Sequence, residues 1–285
     1  MRIVAFKKNT DAAIGVRDNN QVVDLSIAAP ELPQTLRGLL VTDALGAAGE
    51  AAANAVEEAR VAFESLTLLP PIPDPPKFLC IGRNYAEHAK EGGAEVPKYP
   101  DVFMRSRLSI IGPGAPIIRP LISDKLDFEG ELIAIIGKTV HRVNEEQALD
   151  AVAGYSIFND ATLRDYQRRT GQWTVGKNFD GTGPFGPEFV TADELPRGCT
   201  GLNLQTRLNG EVMQDANTKD MVFNVASAIS YLSQAMTLEP GDLLAMGTPS
   251  GVGYARMPPV WMKPGDMVEV EIEGIGILSN PVADE

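Results

Sequence analysis

Leu126-Asp127-Phe128-Glu129-Gly130-Glu131-Leu132-Ile133-Ala134-Ile135-Ile136 constrains this chain more than any other stretch of it. Its second half is rich in branched apolar residues and ends at Gly137, which predicts a buried strand. Residues i and i+2 of a strand point to one face, so Glu129 and Glu131 stand side by side at the entrance to an apolar core. Like charges that close repel and resist burial, and a divalent metal is the economical way to hold them. The alternative is a strand end whose two acids face water. A third acid favours the metal. Gly154-Tyr155-Ser156-Ile157-Phe158-Asn159-Asp160 is another short apolar strand, with a carboxylate at its C-terminal end. Three carboxylates without a neighbouring Cys or His pair describe a hard, oxygen-ligated site for magnesium, manganese or calcium rather than zinc. Three protein oxygens leave coordination positions for water or a chelating substrate.

The remaining composition narrows the classes. At 285 residues the chain can bury one substantial core with a smaller unit attached, or form two domains. No run of about eighteen apolar residues offers a membrane-spanning helix. The opening residues are too short in apolar length for a secretory signal. A net charge of −13 argues against nucleic acid, which is bound by Lys and Arg neutralising phosphates. Cys80 and Cys199 lie far apart in sequence, and buried thiols in a reducing compartment suit them better than a disulfide. The expectation is an acidic cytoplasmic protein with no membrane partner.

Along the chain, residues 1–70 read as a small unit. Short strands are expected at 3–6, 13–17 and 21–25, and an Ala/Glu-rich helix over 42–63 with Thr42 as its cap. Pro70-Pro71-Ile72-Pro73-Asp74-Pro75-Pro76 then marks a stiff linker over 71–76. Residues 77–285 are strand-rich. Strands are expected at 77–81 and 202–208, the latter ended by the turn Asn209-Gly210. Helices are expected at 144–153 and 223–236, with Val225, Ile229 and Leu232 on one face of the second. Two phosphate-loop patterns fail on context. Gly171 to Lys177 is followed by Asn178 where a Ser or Thr is needed, and its preceding segment is charged. Gly181-Thr182-Gly183-Pro184-Phe185-Gly186 has no strand before it and prolines where a helix should begin.

Together the fragments resemble the fumarylacetoacetate hydrolase family, from about residue 77 to 282. The motifs run in the family's order: Gly82-Arg83-Asn84-Tyr85 with His88, then Asp127-Phe128-Glu129-Gly130-Glu131, then Asn159-Asp160 leading to Arg164-Asp165. Gly176-Lys177-Asn178-Phe179-Asp180, Asn209-Gly210 leading to Gln214, and Gly247-Thr248-Pro249-Ser250-Gly251-Val252-Gly253 follow. The resemblance implies an α+β, mainly β fold: a rolled mixed β-sandwich catalytic domain carrying a small N-terminal α/β domain, usually assembled as a homodimer. It implies magnesium or manganese (with calcium able to substitute in crystals) on Glu129, Glu131 and Asp160, the three acids already reached from strand geometry. Gly130 departs from the pattern, where a branched residue is common, and is expected to loosen the strand slightly.

His88 and His141 are the only histidines. His141 receives no role. Glu91, three residues beyond His88, falls on the same face of a helical turn, where a carboxylate orients an imidazole and raises its basicity. The resemblance makes His88 the base and Glu91 its partner, on a segment over 86–99 with Gly92, Gly93 and Pro97 as hinges of a lid. It places Lys177 as a cation that stabilises an oxyanion. Arg164, Gln167 and Thr248 are candidates for a substrate carboxylate, although Arg164, Arg168 and Arg169 also suit a charged surface. Tyr85 is a candidate for the distal group. The implied activity is metal-dependent hydrolysis of a carbon–carbon bond in a short oxo-acid of acylpyruvate, fumarylacetoacetate or fumarylpyruvate type. Decarboxylation of oxaloacetate, or isomerisation or hydration of an unsaturated oxo-diacid, suits the same site. A reading of another class, a metal-stabilised binding protein without turnover, needs no His–Glu pair.

Overall fold

The strand Gly130–Ile136 is buried at every position in the computed structural model, which describes residues 1–285. Its apolar side chains have no face to give to water, so it lies in the middle of a sheet. Val152–Asn159 pairs with it antiparallel on one edge and Leu243–Ala245 on the other. Beyond Leu243–Ala245 come Phe78–Gly82 and Asp101–Met104. In the opposite direction the sheet continues through Gly183–Thr191 into Arg2–Lys8, Asp11–Asp18, Gln21–Asp24 and Arg60–Ala62; with Leu68–Leu69 beside Arg2–Lys8 and Ile110–Ile111 beside Gly183–Thr191 it has twelve strands. A second sheet of five strands runs Glu211–Asn217, Asn203–Leu208, Met267–Ile272, Gly276–Asp284 and Ile117–Arg119. Leu132, Ala134 and Ile157 of the first sheet share a core with Leu204, Val270, Ile272 and Leu278 of the second. The fold is α+β and mainly β, a rolled mixed sandwich.

Several local expectations are met. Asn209 and Gly210 both take positive φ, 53° and 82°, the geometry of a tight hairpin turn between Asn203–Leu208 and Glu211–Asn217. The helix Val225–Ala235 is capped by the Asn224 side chain, which accepts the Ser227 N–H, and buries Val225, Ile229 and Leu232 against the first sheet's core. The Gly181 to Gly186 pattern leads straight into the buried strand Gly183–Thr191, with no helix to receive a phosphate. No helix is long and apolar enough to cross a membrane.

Two expectations are corrected. The helix over 42–63 does not form as one piece. Thr42 ends the helix Leu36–Val41, its hydroxyl donating back to the Gly38 carbonyl, and Asp43 turns the chain with φ 54°. Only Leu45–Ala53 is α-helical, Glu57–Ala59 makes a single 3₁₀ turn, and Arg60–Ala62 is recruited as an edge strand by Gln21–Asp24. Helix propensity loses there to the unpaired edge of a sheet. The helix over 144–153 stops early: Glu145–Ala148 is followed by a short 3₁₀ turn, and Val152 already belongs to the central strand. The stiff Pro-rich segment is packed at its start, where Pro70, Pro71 and Ile72 are buried. Arg2–Lys8 pairs directly with Gly183–Thr191, so the N-terminal unit and the rest of the chain share one sheet. They also share a core, in which Ile3 and Leu36 pack with Phe78, Ile133 and Phe185.

Candidate metal centre

The predicted continuous strand over 126–136 is interrupted at Phe128 and Glu129. Leu126–Asp127 pairs with Thr162–Leu163 in a separate two-stranded sheet, and the main ladder starts only at Gly130. Side chains take over the backbone partners at the break. The Asp127 carboxylate accepts the Phe128 N–H at 2.9 Å, and Asn159 Oδ1 accepts the Glu129 N–H at 2.9 Å. The Glu129 carbonyl accepts the Asp160 N–H at 2.8 Å, which ties the ends of the two acid-bearing segments together. Glu129, Glu131 and Asp160 are all buried, and one oxygen from each lies within 4.8 Å of the others.

Gly130 is explained by what faces it. A Cβ there would stand 2.3 Å from Thr206 Oγ1 and 2.9 Å from Val270 Cγ1 of the second sheet. The expected loosening of the strand is therefore replaced by a close approach of the two sheets directly beneath the carboxylates. Gly247 has a different reason. Its φ of 85° favours glycine, and that conformation lets its N–H donate to Glu131 Oε2 at 2.9 Å.

Three buried cations answer the three acids unequally. Lys177 Nζ reaches both Glu129 Oε2 and Asp160 Oδ2 at 2.5 Å. Arg105 Nη1 donates to Asp160 Oδ1 at 2.5 Å, and its other nitrogens bond Ser109 and Thr182. Arg164 donates through Nε to Asp127 at 2.8 Å, while its Nη2 stands 2.6 Å from Glu129 Oε1 as an ion pair without hydrogen-bond alignment. Glu131 has no basic partner within ion-pair distance. Burial, then the charges of Asp160 and Glu129, push its carboxyl well above the ordinary range. Burial pushes Glu129 the same way, but Arg164 and Lys177 outweigh it and hold that carboxyl down to about 2. Lys177 stays protonated because Asp160 and Glu129 overcome the cost of burying it.

The residues fit a hard divalent cation. The donor set is all oxygen, and Glu131 is a buried carboxylate whose charge no side chain balances. Glu129, Glu131 and Asp160 would hold the ion.

Arg105 escaped the sequence reading. It follows the strand Asp101–Met104 without any motif around it, yet it is what fixes the outer oxygen of Asp160. Arg105→Ala removes one partner of a fully buried pair and should cost about 3–5 kcal/mol of stability. Denaturant unfolding checks this; a midpoint unchanged from wild type would show that Lys177 alone suffices for Asp160.

A cleft of about 180 Å³ opens onto the triad. His88, on the helix Ala86–Glu91, lines it together with Lys177, Gln167, Thr248, Tyr254 and Arg168. The His88–Glu91 spacing forms the expected contact, Nδ1 to Oε1 at 2.8 Å. The second oxygen of Glu91 accepts the Gly251 N–H at 2.9 Å, which docks the helix on the 247–253 loop. A Cβ on Gly92 would lie 2.6 Å from the Tyr254 hydroxyl, so the segment expected to be a lid also packs at its helical half against Tyr254, just beyond that loop.

Of the other expected residues, Arg164, Gln167 and Thr248 line the cleft while bonding within the protein, and Tyr85 lies elsewhere. Tyr85 does not line the cleft. After Arg83 turns with φ 53°, Tyr85 bridges to Met221 and its ring enters the core near Val225, with its hydroxyl buried and unpartnered. The Thr248 hydroxyl is committed within the protein: it accepts from Gln214 Nε2 at 2.8 Å and donates to the Gly130 carbonyl at 3.0 Å. Only its backbone N–H remains to face a ligand. Arg164 likewise serves Asp127, Glu129 and Gln167, which makes it a positioning residue for the triad. Gln167 gives its oxygen to Arg164 and keeps its amide hydrogens for the cleft. Asp127 was visible in the motif without a role. It gathers the N–H groups of Phe128, Gly253 and Tyr254 around Arg164.

A rolled β-sandwich with three buried carboxylates that could hold a divalent metal, and a His–Glu pair beside them, defines the class of fold. The fumarylacetoacetate (FAA) hydrolase C-terminal family matches residues 77–283, and the chain belongs to that family. Oxaloacetate tautomerase FAHD2A of Bos taurus is 38% identical over 294 residues, covering 99% of this chain and 91% of the relative. Among solved structures, fumarylacetoacetate hydrolase from Exiguobacterium antarcticum superposes with a TM-score of 0.86 at 36% identity, over 100% of both chains. Maleylpyruvate hydrolase from Sphingobium sp. SYK-6, in complex with manganese (II) ion and pyruvate, has a TM-score of 0.83 at 28% identity, over 100% of this chain and 99% of that one.

Proposed function

We propose that this chain is a magnesium- or manganese-dependent enzyme that moves a proton at the carbon beside the 2-oxo group of a short oxo-acid, with keto–enol interconversion of oxaloacetate as its reaction. The observation that carries this is the His88–Glu91 pair opening into the same cleft as the buried triad. Glu129, Glu131 and Asp160 would hold the ion, which when bound would supply Lewis acidity toward the oxo-acid end of the substrate.

The chain's own residues do the rest. Glu91 holds His88 Nδ1, which leaves Nε2 to accept a proton from the substrate's C3. The C–H pair becomes the C2–C3 double bond, the C2=O π pair moves onto the 2-oxo oxygen, and that oxygen takes a proton from solvent water while His88 releases its own proton to solvent. Lys177, charged and buried, lends positive potential to that oxygen where the dielectric is low. The Gln167 amide and the Thr248 N–H orient the substrate's carboxylate. The name of the bovine relative supports this reaction, and pyruvate in the manganese-bound neighbour supports a 2-oxo acid as ligand.

A second reading is hydrolysis of a carbon–carbon bond in an acylpyruvate, with His88 deprotonating water. It is favoured by His88 keeping 9% of its surface open to solvent and by the maleylpyruvate hydrolase neighbour. One experiment separates them. Metal-loaded protein is given oxaloacetate, acylpyruvates and unsaturated oxo-diacids in deuterium oxide, and products are followed by NMR. Enol–keto exchange of oxaloacetate above the buffer rate, without carbon–carbon cleavage, supports the tautomerase. Cleavage of an acylpyruvate with no acceleration of exchange replaces it with the hydrolase.

A further inference from the structure

Four cationic side chains line the cleft: Arg83, Arg164, Arg168 and Lys177. Three of them are bound to carboxylates of the protein itself. Arg83 pairs with Asp101 at 2.7 Å, Arg164 with Asp127 and Glu129, and Lys177 with Glu129 and Asp160. Arg168 makes no ion pair and no side-chain hydrogen bond. Its guanidinium lies on the face of Tyr254, 4.2 Å from the ring centroid. The buried Arg164 stands 4.4 Å from the same centroid. Arg169, the next residue, turns away from the cleft, stacking on Tyr166 and reaching Asp165 at 4.0 Å.

Stacking on an aromatic ring uses the face of a guanidinium and leaves its in-plane N–H groups free. Those groups are the ones that grip a carboxylate in bidentate fashion. Arg168 is therefore held in place at the mouth of the cleft by Tyr254, with its anion-binding edge uncommitted. In a chain of net charge −13, an unpaired cation there also offsets repulsion of an anionic substrate.

We infer that Arg168, braced on Tyr254, binds the second carboxylate of an oxo-diacid whose 2-oxo-acid end is held at the triad, and so selects four- and five-carbon diacids over monoacids. This rests on the proposed function for the orientation of the substrate, and it names the substrate class of that site. Arg168 is a specificity residue and takes no part in proton transfer.

Lactate and malate test it, because they share a 2-hydroxy-acid chelating end and differ by one distal carboxylate. Affinities are measured by calorimetry on the manganese-loaded full chain, wild type and Arg168→Ala. Neither ligand turns over, so absence of tautomerase activity would leave the measurement intact. The expected result is that Arg168→Ala weakens malate by roughly tenfold, the usual worth of a charge-assisted bond at a partly exposed site, and leaves lactate within about twofold. Arg168→Lys should recover part of the malate preference. An unchanged malate-to-lactate ratio in Arg168→Ala would overturn the assignment, as would an equal loss for both ligands.

Discussion

Chelator-treated protein should turn over no oxo-acid, and magnesium or manganese should restore turnover. This follows from three buried carboxylates of which one, Glu131, has no basic partner in the protein. Without the ion, Lys177 and Arg105 balance Asp160, and Lys177 and Arg164 balance Glu129, but the 2-oxo group meets no Lewis acid. Glu131→Gln keeps the shape of the side chain and removes its charge. The fold should survive, because the Gly247 N–H still finds an oxygen there. Calorimetry should show the loss of tight manganese binding, and activity should fall to background. Thermal unfolding gives a separate readout. At a thousandfold excess over its dissociation constant, manganese should stabilise the wild type by about 4 kcal/mol and leave Glu131→Gln unmoved. Full turnover in metal-free wild type would remove the ion from the chemistry altogether.

His88→Ala should lower tautomerisation by roughly 10²–10⁴-fold, the contribution of a positioned general base. Pyruvate affinity in the manganese-loaded variant should stay within a few-fold of wild type, because the groups assigned to the shared oxo-acid end are untouched. Glu91→Gln should cost less activity, since an amide still bonds the imidazole. It should also loosen the helix Ala86–Glu91 from the 247–253 loop, because the Gly251 N–H loses a charged acceptor. Hydrogen exchange over residues 86–99, compared with and without oxalate, reads that docking and tests the segment as a lid. A His88→Ala variant with near wild-type exchange of oxaloacetate would take His88 out of the mechanism.

What the sequence determined by itself was local. Spacing of two put Glu129 near Glu131, although the ladder begins only at Gly130 and Asn159 holds Glu129; helical spacing put His88 beside Glu91, and Asn209-Gly210 specified a hairpin, since each pattern spans a few positions. The third acid was legible because it ends a strand of its own, and the order of motifs carried the family. Only the tertiary structure decided what balances those acids. Arg105 meets Asp160 across 55 positions and Gln214 reaches Gly130 across 84, and no short-range pattern encodes such partners. The same holds for the corrections. The Ala/Glu-rich stretch after Thr42 is broken by the open edge of Gln21–Asp24, and Tyr85 is drawn into the core by Met221. The Thr248 hydroxyl is taken by Gln214 and Gly130. Local preference amounts to a few tenths of a kcal/mol per residue, whereas an unpaired buried donor or an unfilled core costs several times more, so long-range packing has the last word where the two disagree.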